Sequence, residues 1–164
     1  MVATATVEST SRRPAAAPGR LSADAGVALA FERFGMAGDQ PLVFAHGFGQ
    51  TRRAWNDTAT TLSGEGWHCW TADSRGHGDS DWNSDGQYDF PQLVDDLVLI
   101  ARHAAQPPSP GQPILIGASM GGLLGLVAQA AHAPFRALVL VDITPRWENA
   151  GVERILAFMY KPSL

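Results

Sequence analysis

Nine residues constrain the fold of this chain more than any others: Ile114-Leu115-Ile116-Gly117-Ala118-Ser119-Met120-Gly121-Gly122. A short apolar run ends in the pattern G-x-S-x-G, and an apolar segment rich in small residues follows. That order reads as strand, sharp turn and helix. Gly117 and Gly121 leave room for the chain to reverse tightly. The turn lifts the Ser119 oxygen above the sheet edge. The Met120 backbone N–H, in the first turn of the new helix, points toward the same space. An oxyanion forming there would meet a backbone donor and the positive end of a helix dipole. The chemistry to expect is nucleophilic acyl transfer on an α/β sheet.

The rest of the chain repeats the alternation. Residues 20–35 carry two strand-like pieces around Asp24-Ala25-Gly26, which fits an antiparallel hairpin. Leu42-Val43-Phe44-Ala45 is an unbroken apolar run of the kind buried on both faces, and it stops at His46-Gly47-Phe48-Gly49. Trp55, Ala59 and Leu62 then stand at helical spacing, with Thr51 as cap and Gly64 and Gly66 as the end. Trp67 to Ala72 is the next strand, followed by the polar loop Asp73-Ser74-Arg75-Gly76-His77-Gly78-Asp79-Ser80. A helix begins near Asp89-Phe90-Pro91 with Leu93, Leu97, Ile100 and Ala104 as its buried stripe, and Pro107-Pro108 stop it. After the serine turn a helix runs to about Ala131, its glycines allowing close approach to the sheet. Arg136 to Ile143 is a further strand, and Val152, Ile155, Leu156 and Met159 mark a last helix. Strands alternating with helices predict a mostly parallel sheet with helices on both faces.

Composition narrows the function. At 164 residues the chain is one domain long, and a net charge of −4 gives no support for a nucleic-acid partner. No apolar run approaches the roughly 20 residues that cross a bilayer. The single cysteine, Cys69, excludes an internal disulfide and fits a reducing, cytoplasmic compartment. It sits in an apolar strand and reads as a small core residue. Residues 1–19 are rich in Ala, Thr, Ser and Pro and read as a disordered tail. Ser11-Arg12-Arg13 resembles a twin-arginine signal, but a Pro- and Ala-rich stretch replaces the apolar segment such a signal needs.

His46-Gly47-Phe48-Gly49, the Asp73–Ser80 loop, Gly117–Gly122 and Val141-Asp142, in that order, resemble the α/β-hydrolase superfamily, in its esterase, lipase and cofactor-free haloperoxidase-like branch. The resemblance covers residues 20–145, the core, and leaves 146–164 as the start of a lid region. It implies Ser119 as nucleophile and the N–H groups of Phe48 and Met120 as the oxyanion hole. It makes His46 a structural residue that shapes the oxyanion loop, leaves Arg75 and Asp73 to brace their own loop, and implies no cofactor and no metal. A serine at 119 also separates the chain from the branches that use an aspartate there.

The departure from the family is at the other end. Its triad runs nucleophile, acid, histidine along the chain. Asp142 is the candidate for a relocated acid, and none of the five histidines, His46, His68, His77, His103 and His132, is a good base. The fold expected is therefore a truncated α/β-hydrolase lacking its last strands and lid, with an apolar edge open to self-association. The function expected is hydrolysis of small carboxylic esters, thioesters or lactones, with little activity from these residues alone. A lyase or perhydrolase of the same fold, and a non-catalytic remnant that binds a ligand or partner, are the alternatives.

Overall fold

A computed structural model describes residues 16–143. The helix expected around Val152 to Met159 and the lid region lie outside them, as does most of the expected tail.

The described residues form a six-stranded sheet of order β1-β2-β4-β3-β5-β6. Its strands are β1 (Ala17–Ser22), β2 (Ala28–Phe34), β3 (Gln40–Ala45), β4 (Trp67–Ala72), β5 (Ile114–Ala118) and β6 (Ala137–Val141). The helices are α1 (Asn56–Gly64), α2 (Phe90–Ala104) and α3 (Met120–His132). β1 and β2 make the expected antiparallel hairpin, and β2 lies antiparallel to β4. From there onward every pairing is parallel: β4 with β3, β3 with β5, β5 with β6. The parallel strands are joined by crossover helices, as strand-helix alternation requires.

The central strands are apolar because both faces are covered. One layer packs Val43, Trp70 and Leu115 under Leu97, Val98 and Ala101 of α2 and Leu124 and Ala128 of α3. The other packs Phe44, Leu42 and Cys69 under Ala59 of α1. Val43, Phe44 and Leu115 are completely buried. At about 25 cal/mol per Å² of apolar surface, each contributes on the order of 1.5–3 kcal/mol. Cys69 is also completely buried, and burial pushes its thiol up to about 12, so it packs as a small apolar residue.

Two boundaries differ from the sequence reading. β1 begins at Ala17, inside the stretch expected as tail, and pairs in register from Ala17 with Arg33. Gly19 belongs to that strand because a β-carbon there would strike the Phe31 ring. The helix after the His46 loop begins at Asn56, not at Thr51. Thr51 starts a 3-10 turn over Arg52–Trp55 and makes no side-chain capping bond. The cause is Asp73, whose carboxylate takes the Arg52 backbone N–H at 2.6 Å and also pairs with the Arg52 guanidinium.

Candidate active site

The β5–α3 turn holds Ser119 in a conformation few non-glycine residues adopt, with φ 46° and ψ −113°. Such a backbone costs on the order of 1–3 kcal/mol and persists only where its surroundings enforce it. Here the Ser119 N–H is held by the Val141 carbonyl at 3.0 Å, and the Ser119 carbonyl accepts from Gly122 and Leu123 at 3.0 and 3.1 Å. The glycines have steric reasons. A β-carbon on Gly117 would sit 2.7 Å from the Gly121 carbonyl oxygen, and one on Gly121 would strike the Ala45 backbone. α3 can therefore start directly above the ends of β3 and β5. As the first residue of α3, Met120 has an N–H with no carbonyl four residues back to receive it. Ser119 itself is half-buried, and among the described residues its hydroxyl has no hydrogen bond.

The loop after β3 is fixed by His46, which is completely buried. The Ser74 N–H donates to His46 Nε2 at 3.0 Å, so that nitrogen carries no proton. The proton is then on Nδ1, which donates to the Gly47 carbonyl at 2.8 Å. Burial pushes the imidazole below its ordinary value, in keeping with a neutral ring. The Gln50 N–H also donates to the Gly47 carbonyl, at 3.1 Å. In a trans peptide the C=O and the following N–H point in opposite directions. Pinning the Gly47 carbonyl therefore orients the Phe48 N–H the other way, and that N–H has no partner among the described residues. The loop lies against the nucleophile: a β-carbon on Gly47 would be 3.5 Å from Ser119 Cβ.

The strained turn at Ser119 and the Gly47–Phe48 loop thus sit side by side at the carboxyl ends of β5 and β3. The family model for serine aminopeptidase S33 matches residues 38–158. The chain belongs to that family of α/β hydrolases. It is 36% identical over 138 residues to a 3-hydroxybutyrate-oligomer hydrolase of Cupriavidus necator, covering 82% of this chain and 45% of that protein. It is 39% identical over 107 residues to an esterase of Mycobacterium tuberculosis, covering 63% of this chain and 33% of the esterase. An α/β hydrolase of Novosphingobium aromaticivorans superposes with a TM-score of 0.75 at 29% identity, over 87% of this chain and 50% of the other. The chain thus spans less than half the length of the curated relatives it matches.

Within this α/β-hydrolase core the other sequence candidates are placed as follows. Asp142 is exposed just past β6, in a left-handed conformation with φ 52°. Among the described residues no hydrogen bond joins its carboxylate to Ser119 or to a histidine. All five histidines are described. The His68 ring accepts from the Trp70 indole at 3.3 Å, and burial lowers its pKa. His77 has Nδ1 3.2 Å from the Arg75 carbonyl and its ring at 6.0 Å from Phe48. His103 packs edge-on against Trp70, and His132 lies 3.9 Å from Asp95. None is hydrogen-bonded to Ser119.

Asp73 and Arg75 do more than brace their own loop. Asp73 is completely buried, holding Arg52 and accepting the Asp79 N–H at 2.9 Å. Arg75, also completely buried, reaches Asp96 of α2 with two bonds of 2.6 Å and Asp24 of the β1–β2 turn at 2.5 Å. Those carboxylates raise its already high pKa, so it stays charged inside the fold. Sequence reasoning passed over Arg52 and Gln50, since a charged or polar residue in a loop reads as solvated. Among the described residues no group of histidine, cysteine or acidic side chains could hold a metal, and no helix is long and apolar enough to cross a membrane.

Proposed function

We propose that Ser119 is the nucleophile of a hydrolase acting on small carboxylic esters, thioesters or lactones through an acyl-enzyme. Ser119 Oγ gives its proton to a base as it bonds to the carbonyl carbon. The carbonyl oxygen becomes an oxyanion facing the Phe48 and Met120 N–H groups, each such donor worth roughly 2.7–4 kcal/mol in the transition state. The tetrahedral species expels the leaving alcohol or thiol, which takes the proton, and water then cleaves the acyl-serine by the same steps. The observation that carries this reading is the strained Ser119 backbone set directly against the pinned Gly47–Phe48 loop. The relatives named as an esterase and an oligomer hydrolase add esters of hydroxy acids to the substrate class.

The same reading makes these residues alone a weak catalyst. A serine without an adjacent base keeps a neutral hydroxyl. Loss of triad members leaves roughly 10³–10⁴-fold over water in serine proteases. We assign the base, and the acid unless Asp142 serves, to the part of the longer fold that these residues do not span.

Fluorophosphonate labelling in the presence of imidazole, a diffusible substitute base, tests the assignment. Labelling of Ser119 should be slow, should rise with imidazole concentration and should vanish in Ser119→Ala. A folded chain that stays unlabelled at every imidazole concentration, or labelling that survives in Ser119→Ala, would overturn it and favour a binding remnant.

A further inference from the structure

Gln50 is placed for a task that loop geometry alone does not require. Its side chain folds back so that Oε1 accepts the Gly47 N–H at 3.0 Å, while its own N–H holds the Gly47 carbonyl. Only the oxygen of a carboxamide can accept from an N–H, so this bond sets the orientation of the amide and turns the NH₂ away from Gly47. Neither hydrogen of that NH₂ has a partner among the described residues. The position is close to the chemistry. A β-carbon built on Gly47 would meet Gln50 Oε1 at 3.0 Å and Ser119 Cβ at 3.5 Å, so carboxamide and nucleophile flank the same face of one glycine. A glutamate would lock the loop equally well through an oxygen. A glutamine adds an exposed, neutral donor pair to the loop that borders Ser119.

The geometry points to Gln50 as a specificity-determining residue that donates to a second acceptor oxygen of the substrate. The substrates it favours carry a hydroxyl or carbonyl a few bonds from the scissile carbonyl, as 3-hydroxyacyl esters and oligomers of hydroxy acids do. Plain alkanoyl esters offer nothing at that position. A neutral hydrogen bond of this kind is worth about a 3- to 10-fold preference in binding. This inference rests on the assignment of Ser119 as nucleophile.

The test needs no turnover. Methyl acetoacetate, whose 3-oxo group can only accept, and methyl butyrate are titrated into the ¹⁵N-labelled chain, following the Gln50 NH₂ resonances and the affinity of each ester. The 3-oxo ester should bind about 3- to 10-fold more tightly and move those resonances, while methyl butyrate leaves them in place. Gln50→Glu keeps an acceptor for the Gly47 N–H, so that amide should stay protected from hydrogen exchange while the preference falls to about one. Gln50→Leu should lose both the protection and the preference. Equal affinities in the unmodified chain, a preference that survives in Gln50→Glu, or no binding of either ester would overturn the inference. The two readings fail separately: a labelled Ser119 with no preference sinks this one, and a preference without labelling sinks the nucleophile.

Discussion

The carboxyl end of the sheet has two unlike halves. Beyond β3 and β4, polar groups are buried and paired: His46 between two backbone partners, Asp73 between Arg52 and the Asp79 N–H, Arg75 between Asp96 and Asp24. Beyond β5 and β6, the Ser119 hydroxyl is without a partner among the described residues, Asp142 is exposed, and Val139, Leu140 and Val141 of β6 face solvent at 47%, 36% and 40%. On the proposed function, the first half would hold a rigid donor for developing charge and the second would carry the reacting atom. On that contrast, stability should be concentrated in the paired half, and substitutions on the exposed face of β6 should scarcely touch it.

The largest effect should come from Arg75→Met. It strands the Asp96 carboxylate inside the fold, and breaking a buried pair by removing one partner typically costs about 3–5 kcal/mol. Urea denaturation followed by circular dichroism measures this. A loss under about 1 kcal/mol would mean that the paired half is less tightly organised than its contacts imply. Gly117→Ala should rank next, at about 1–3 kcal/mol, because the new methyl meets the Gly121 carbonyl at 2.7 Å and backbone has to move. Its Ser119 labelling should fall more than its stability does, since the same movement displaces the turn.

How much of this was legible in the sequence depended on whether the cause was local. The buried runs at Leu42–Ala45 and Ile114–Ile116, the serine turn and the closely approaching glycines all act through neighbours in the chain or through strand period, and the structure places them as expected. The start of β1 was missed because Pro18 and Gly19 look like linker until β2 is laid beside them and Phe31 needs the space over Gly19. The start of α1 was missed because Arg52 is turned inward by Asp73, 21 residues on. Nothing near Arg52 in the sequence announces that pairing. The role of Gln50 was hidden for the same reason, since it depends on how the carboxamide folds back onto Gly47 beside Ser119. At the site the tight serine turn and the loop-shaping His46 were legible, while the parts of Arg52 and Gln50 were not.

Acid should weaken the paired half selectively. His46 and His68 are both kept neutral by burial, with pKa values below the ordinary 6.5. Below that value the unfolded chain binds protons that the folded chain does not. Stability is therefore intact above about pH 6.5 and falls as pH drops toward the folded values, by up to about 1.4 kcal/mol per pH unit per group. Melting curves from pH 7.5 to 5 should show this fall, and His46→Gln should reduce its slope while leaving the share due to His68. A stability that holds or rises over that range would mean that neither ring is kept neutral by the fold.

The smallest effect on folding should come from β6, and it sharpens the contrast most. Val139 is 47% exposed on a strand whose outer edge pairs with no other strand among the described residues. Val139→Lys removes little buried surface, so its folding free energy should change by no more than about 0.5 kcal/mol. The edge itself is regular and apolar, the kind that pairs with another chain, and an inserted lysine opposes such pairing. We therefore expect sedimentation velocity to show concentration-dependent self-association of the unmodified chain, reduced in Val139→Lys at equal stability. A unmodified chain that sediments as a monomer at every concentration would rule out the edge as a self-association surface. A Val139→Lys variant that unfolds as readily as Arg75→Met would erase the distinction between the two halves, because β6 would then be part of what holds the fold together.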